Sequence, residues 1–214
     1  IYRTSDGTRV PSVTQVISAT FAKPGLTKWA NRLGMQGVDA DAFRDQRAAE
    51  GSCLHEYIRA HLKLEEPDLE PFSPAARAAG LVAFLRWKRG WYERHDVRPF
   101  VIEVPLVSER HQYGGTPDLI ADVDGRVEVL DWKTSKDIYR EHLIQASSYA
   151  AMAWEHGHRV DAVRVVSIST EADGRLHEHA IAGAEMRPYF ACFHAALRLY
   201  RHMRSVGDPE RMSA

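Results

Sequence analysis

The spacing of hydrophobic residues changes along the chain. Up to about residue 96, apolar positions recur every three or four residues, as in Leu54, Ile58 and Leu62, which indicates helices with one buried face. Further along, runs rich in valine and isoleucine predict strands, and a short hairpin is predicted within 1–11. The predicted helices are 12–20, 27–33, 39–66, 73–95, 138–156 and 185–206. The predicted strands are 100–107, 116–123, 126–132, 162–169 and 176–181.

This order of elements predicts an α/β protein with a mixed central sheet flanked by helices. The length of 214 residues suits one domain. Within it we expect a mainly helical N-terminal part over 1–96, a sheet core over 97–183 that carries the functional site, and a C-terminal helix over 184–214. The N-terminal part is expected to close over that site.

Charge and composition exclude several classes of protein. The chain has 28 basic and 29 acidic side chains, and this near-neutral balance lowers the expectation of a nucleic-acid partner. No long uncharged apolar run is present, so we expect no membrane segment. Cys53 and Cys192 are too few for a four-cysteine iron–sulfur site, so we expect no iron–sulfur cluster.

A tight hairpin carries the most informative residues. Asp124-Gly125 is typical of a two-residue turn, which pairs positions whose numbers add up to 249. Asp118 is then opposite Asp131, and opposed side chains in a sheet lie roughly 5 Å apart at Cβ. Two carboxylates so close repel each other unless a cation lies between them, and oxygen ligands suit Mg²⁺ or Mn²⁺.

Lys133 follows Asp131 by two residues and therefore projects from the same face of the strand. An ammonium group beside a metal can stabilise the charge that develops on a phosphate during hydrolysis. Acid-x-Lys triplets also arise by chance, and acids near a hairpin are often simply solvated, so this alternative stays open. Glu128 has the wrong parity to join Asp131 and is excluded as a ligand.

These residues resemble a known set of motifs. Pro117-Asp118 with Asp131-Trp132-Lys133 resembles the core motif of the PD-(D/E)xK nuclease superfamily. The segment from Gly51 to His55, the segment from Gln145 to Tyr149 and the upstream acid Glu103 resemble motifs of its RecB-like exonuclease branch. The segment from Pro11 to Thr14 resembles the opening of viral and mitochondrial genome-maintenance exonucleases, and the overall resemblance is clearest over residues 50–170.

The resemblance implies a restriction-endonuclease-like core and a metal site. The ligands of Mg²⁺ or Mn²⁺ would be His55, Asp118, Asp131 and the backbone carbonyl of Trp132, with Glu103 as a further candidate. The catalytic set would consist of Asp118 and Asp131 together with Lys133, Gln145 and Tyr149.

Gln145 and Tyr149 lie four residues apart and so share one helical face, which is also compatible with an ordinary polar surface. Thr134 and Ser135 follow the lysine and could contact a phosphate or cap the next helix. Arg198 and Arg201 share one side of the last helix, either as a solvated face or along a phosphate backbone.

The resemblance implies a metal-dependent DNA exonuclease that leaves 5′-phosphate products in DNA recombination, repair or replication. Its expected partners are DNA with a free end and a helicase, recombinase or single-strand-binding protein, in the cytoplasm of a bacterium or as a phage product. The near-neutral charge agrees with this, because an acidic metal pocket offsets basic helices. The alternatives are a structure-specific endonuclease or resolvase, and a non-catalytic DNA-binding subunit that keeps the fold.

Overall fold

The computed structural model describes residues 1–22 and 24–206, which contain six α-helices and nine strands. The helices are α1 Val13–Thr20, α2 Pro24–Met35, α3 Ala40–Lys63, α4 Pro74–Gly90, α5 Arg140–Glu155 and α6 Met186–Ser205. The strands are β1 Tyr2–Arg3, β2 Arg9–Val10, β3 Val97–Ile102, β4 Leu106–Ser108, β5 Tyr113–Gly115, β6 Leu119–Val123, β7 Arg126–Lys133, β8 Ala162–Ile168 and β9 Leu176–Ala182.

The central sheet has five strands in the order β3-β6-β7-β8-β9. Only β7 and β8 are parallel, and α5 connects them; the other neighbours are antiparallel. Two small antiparallel sheets, β1-β2 and β4-β5, complete the structure. This mixed sheet with flanking helices confirms the predicted α/β class and a restriction-endonuclease-like core.

Each face of the central sheet is covered by a different set of helices. Along β7, Val129 belongs to a core shared with α1, α5 and α6, whereas its neighbour Leu130 packs with α3 and α4. This alternation follows from the period of two in a strand. Trp87, Trp91 and Trp132 form an aromatic cluster in the second core. The N-terminal helices are therefore divided between the two faces.

The predicted hairpin and its register are confirmed. Strands β6 and β7 pair from Val123–Arg126 to Leu119–Leu130, as the position rule requires. Both turn residues, Asp124 and Gly125, have positive φ angles of 53° and 82°, the conformation of a type I′ turn.

The predicted strand over 100–107 is wrong as a single element. Strand β3 ends at Ile102 and β4 begins at Leu106, because Glu103 adopts a left-handed conformation with φ 49° and Pro105 has no N–H to donate. The strand predicted from 116 likewise starts only at Leu119, after a separate β5. Glu103 is therefore in a break between strands.

The helices differ from expectation mainly at their ends. Helix α2 begins at Pro24, before the predicted start at 27, because proline fits the first helical position. Leu64 ends α3 in a left-handed conformation, and α4 stops at Gly90 before a short 3₁₀ turn. Residues 207–214 of the predicted C-terminal part lie outside the described residues. Within the described residues, no helix is long and apolar enough to cross a membrane.

Candidate metal centre

The predicted metal ligands meet at one end of the central sheet. Asp118 directly precedes β6 and Asp131 lies near the end of β7. By strand parity, Asp131 shares the face of Val129, which packs against α5. His55 comes from α3, on the opposite side of the sheet. The site therefore combines side chains from both layers of helices.

His55, Glu103 and Asp118 form a compact group whose ligand atoms lie within 4.8 Å of one another. The Nδ1 atom of His55 is 3.4 Å from Asp118 Oδ1 and 4.0 Å from Glu103 Oε1. On the other side of the ring, Nε2 is 3.2 Å from the carbonyl oxygen of Trp132. A proton on Nε2 would be donated to this carbonyl and would leave the Nδ1 lone pair facing the two carboxylates.

The break between β3 and β4 brings Glu103 into this group. The left-handed Glu103 donates its backbone N–H to the carbonyl of Asp118 at 3.2 Å, and this bond holds the two acids together. The Asp118 side chain is itself fixed, because its Oδ2 accepts the backbone N–H of Trp132 at 2.7 Å.

Asp131 is buried beside this group but is not one of its three members. Its Oδ1 accepts a hydrogen bond from Gln145 Nε2 at 3.2 Å, and its Oδ2 lies 2.5 Å from Lys133 Nζ. Apart from this ion pair, Oδ2 has no hydrogen-bond partner among the described residues. Asp131 as a metal ligand stays a prediction, which is supported by its burial and by the lack of a hydrogen bond to Oδ2 within the described part of the chain.

The candidate site holds more acidic side chains than its positive charges can balance. Burial and the charge of Asp118 raise the pKa of Asp131 to about 6 against the opposing effect of Lys133, and burial also raises the pKa of Glu103. Burial also acts to raise the pKa of Asp118, but the interaction with His55 outweighs burial, so the pKa of Asp118 is lowered. The charge of Asp118 in turn raises the pKa of His55 against the effect of burial. A divalent cation fits this donor set, since it would compensate the acids.

Gln145 and Tyr149 lie one turn apart on α5 and extend the network from Asp131. Gln145 Nε2 also donates to the Tyr149 hydroxyl at 3.0 Å. The pKa of Tyr149 is well above its usual value, because the ring is buried and the acids Asp131 and Asp118 are close. Tyr149 therefore stays a neutral phenol, while the catalytic roles of both residues remain predictions.

Comparison with known proteins agrees with this geometry. One protein-family model matches residues 31–204, and it describes the PD-(D/E)XK nuclease superfamily. The chain belongs to this superfamily. A search of curated proteins finds no match. Membership supports a metal-dependent nuclease, and this superfamily uses divalent metals at a carboxylate site of the kind described above.

Two consecutive glycines in β5 allow two tyrosines to approach this PD-(D/E)XK site. A Cβ atom on Gly114 would lie 2.3 Å from the Tyr2 ring, and one on Gly115 would lie 2.4 Å from the Tyr149 ring. Sequence reasoning missed Tyr2, which also hydrogen-bonds Thr116 through its hydroxyl at 2.9 Å. The glycine pair signals a close approach, but nothing in the sequence says which residue makes it.

Thr134 and Ser135 have different surroundings. Thr134 faces Gly51 of α3, where an added Cβ would lie 3.1 Å from Thr134 Oγ1. Thr134 also lines a cleft of about 390 Å³ together with His55, Glu103 and Phe72. The Ser135 hydroxyl instead donates to the carbonyl of Asp137 within its own loop. Thr134 is thus the better placed of the two to meet a substrate.

Arg198 and Arg201, predicted to bind DNA, lie on α6. Arg198 is exposed. Arg201 donates to the backbone carbonyls of His111 and Gln112, in the turn between β4 and β5. Arg201 therefore also has a structural role, and the structure places it against this turn rather than among the predicted metal ligands.

Proposed function

We propose that the protein is a metal-dependent DNA exonuclease that releases products with a 5′-phosphate and acts in DNA recombination, repair or replication. The observation that carries this proposal is the His55, Glu103 and Asp118 group beside the buried Asp131–Lys133 pair. In a PD-(D/E)XK chain, this arrangement would place a basic group, Lys133, beside a cation site.

The residues of the group fit Mg²⁺ or Mn²⁺. Two carboxylates and one imidazole would hold the ion, with Asp131 and the Trp132 carbonyl as further ligands. Carboxylate and carbonyl oxygens suit both ions, and imidazole favours the softer Mn²⁺. When bound, the ion supplies Lewis-acid polarisation of the phosphate and lowers the pKa of a water molecule.

Lys133 supplies the second positive charge at the reacting phosphate. Its ammonium would hold a water molecule for in-line attack and stabilise the charge that develops on the phosphate oxygens. Gln145 donates a hydrogen bond to the Asp131 carboxylate. This bond would fix the position of the carboxylate relative to Lys133 and to the other proposed metal ligands. The neutral Tyr149 phenol is buried and accepts a hydrogen bond from Gln145, so it would act through Gln145 rather than by direct contact with DNA.

Action from a free end is the more specific part of the proposal. It is supported by the likeness of the Gly51–His55 and Gln145–Tyr149 segments to the RecB-like exonuclease branch. Both segments contact the metal centre, through His55 and Gln145. A chromosomal or phage DNA end, presented by a separate helicase, recombinase or single-strand-binding protein, is the substrate that we infer.

The test is digestion of linear single-stranded, linear duplex and closed circular DNA with Mg²⁺ or Mn²⁺, with Lys133→Ala as the matched inactive control. We expect end-dependent release of 5′-phosphorylated products from linear DNA, and intact circles. Cleavage of closed circles would instead identify an endonuclease. DNA binding without turnover by the wild-type protein would identify a non-catalytic subunit.

A further inference from the structure

Three arginines converge on a second cleft, formed by the N-terminal hairpin and α6. Arg9 from β2 and Arg201 and Arg204 from α6 line this cleft of about 390 Å³, which we call the basic groove. Gln112 and Tyr200 also line it and add polar groups. The sequence pattern places Arg9 nearly 200 residues from the other two arginines, so only the fold reveals the cluster.

The positive charge of the basic groove is not compensated. No carboxylate from residues 1–22 and 24–206 lines it. Arg201 donates only to neutral carbonyl oxygens, and Arg204 donates to the Tyr200 hydroxyl at 3.2 Å. The Arg9 side chain forms no ion pair or hydrogen bond with the described residues. Three guanidinium groups without a counter-charge repel one another, and a phosphate group is the anion that their planar donors fit best.

The hairpin that carries Arg9 also reaches the metal centre. Val10 of β2 lines the groove and pairs with Tyr2 of β1. Tyr2 packs on Gly114 and hydrogen-bonds Thr116, which precedes the ligand Asp118 by two residues. This chain of contacts keeps the groove within roughly 25 Å of the metal centre, a span of at most about seven nucleotides along a B-form strand.

We propose that the basic groove binds a backbone phosphate of the DNA strand that is cut at the metal centre. The groove would hold the strand a few nucleotides from the scissile bond and so position it for successive cuts. This inference rests on the proposed function for the identity of its ligand. The groove itself is defined by residues outside the proposed catalytic set.

The first test measures binding of a labelled oligonucleotide by fluorescence anisotropy in EDTA, where no cleavage occurs. We choose Arg9→Ala/Arg204→Ala, because Arg201 also holds the β4–β5 turn. We expect about tenfold weaker binding and a log–log salt slope that falls by about one to two. The matched control, Arg89→Ala/Arg187→Ala, removes two exposed arginines outside the groove and should bind like wild type. Unchanged binding by the groove variant would overturn the proposal.

The second test uses a nitrophenyl ester of thymidine 5′-phosphate, which is too short to reach the groove. The groove variant should hydrolyse this ester like wild type, while its KM for a long oligonucleotide rises about tenfold and kcat changes little. If the wild-type protein hydrolyses neither substrate, the proposed function fails, but anisotropy still decides whether the groove binds DNA. If the variant loses binding of inorganic phosphate and keeps that of DNA, the groove serves a free anion and the proposal is wrong.

Discussion

Strand β7 carries two buried carboxylates, each paired with a cation, and the two pairs differ in how completely they are satisfied. Both oxygens of Glu128 accept hydrogen bonds from Arg164, at 2.6 and 2.9 Å. Arg164 also donates to Glu178, which raises the pKa of the guanidinium further. Three residues further along, Asp131 has a single ion pair, from Oδ2 to Lys133, and its Oδ1 accepts one hydrogen bond from the neutral amide of Gln145.

We interpret this difference as separating a structural ion pair from the pair that we propose for catalysis. A buried ion pair offsets its desolvation only when hydrogen bonds satisfy both partners, as at Glu128. Asp131 keeps a pKa raised to about 6, because burial and the nearby Asp118 outweigh Lys133. Perturbed acids of this kind cluster at functional sites, where a cation or substrate completes them.

The largest expected effect is on cleavage at the incomplete pair. Lys133→Ala should lower kcat about a thousandfold or more, because it removes the cation that we propose to stabilise charge at the phosphate. The free energy of unfolding should change less than at the complete pair, because Asp131, whose pKa is already raised to about 6, can take up a proton when Lys133 is removed. Single-turnover cleavage and urea unfolding of the same samples measure both. A variant that cuts DNA like wild type would contradict the assigned role.

The complete pair should respond in the opposite way. Arg164→Ala should destabilise the protein by about 3 kcal/mol, because Glu128 is left buried without its cation. Metal binding should persist in the folded fraction. The double variant Glu128→Leu/Arg164→Leu is the control and should recover part of the lost stability in urea unfolding. If Arg164→Ala instead removes metal binding from a stable protein, the comparison is wrong.

A smaller effect tests the support of Asp131 by α5. Gly115→Ala should push the Tyr149 ring away, since the new Cβ would lie 2.4 Å from it. We expect about tenfold slower cleavage and a loss of about 2 kcal/mol, measured by kinetics and urea unfolding. Gly34→Ala is the control, because a Cβ there meets nothing within 4 Å. If Gly115→Ala cleaves DNA and unfolds like Gly34→Ala, the proposed support of Asp131 by α5 is wrong.

The smallest effect comes from a third buried carboxylate, Glu50. Burial acts to raise its pKa, but hydrogen bonds from Thr170 and Arg47 outweigh this and lower the pKa. The stabilisation is therefore present above the unfolded-state pKa and is lost as the pH falls through the folded-state pKa. Glu50→Gln should cost about 1 kcal/mol at pH 7 and less near pH 3, measured by urea unfolding. A cost that grows on acidification would contradict this assignment.

The hairpin of β6 and β7 could be predicted because local rules determine it. The turn Asp124-Gly125 sets the register, which pairs Leu119 with Leu130 and so brings Asp118 beside the end of β7. The break at Glu103 could not be predicted, because a left-handed glutamate is set by tertiary contacts such as its hydrogen bond to Asp118. The same holds for Tyr2 and Arg9, whose neighbours are far away in the sequence.

The central claim, that His55, Glu103 and Asp118 form a cation site, is tested most directly by calorimetric titration with Mn²⁺. The wild-type protein should bind Mn²⁺ saturably, and Asp118→Asn should bind it at least about tenfold more weakly while keeping its fold. Glu128→Gln, at the complete pair, should bind Mn²⁺ like wild type although it is less stable. Mn²⁺ binding of wild-type strength by a folded Asp118→Asn variant would contradict the claim.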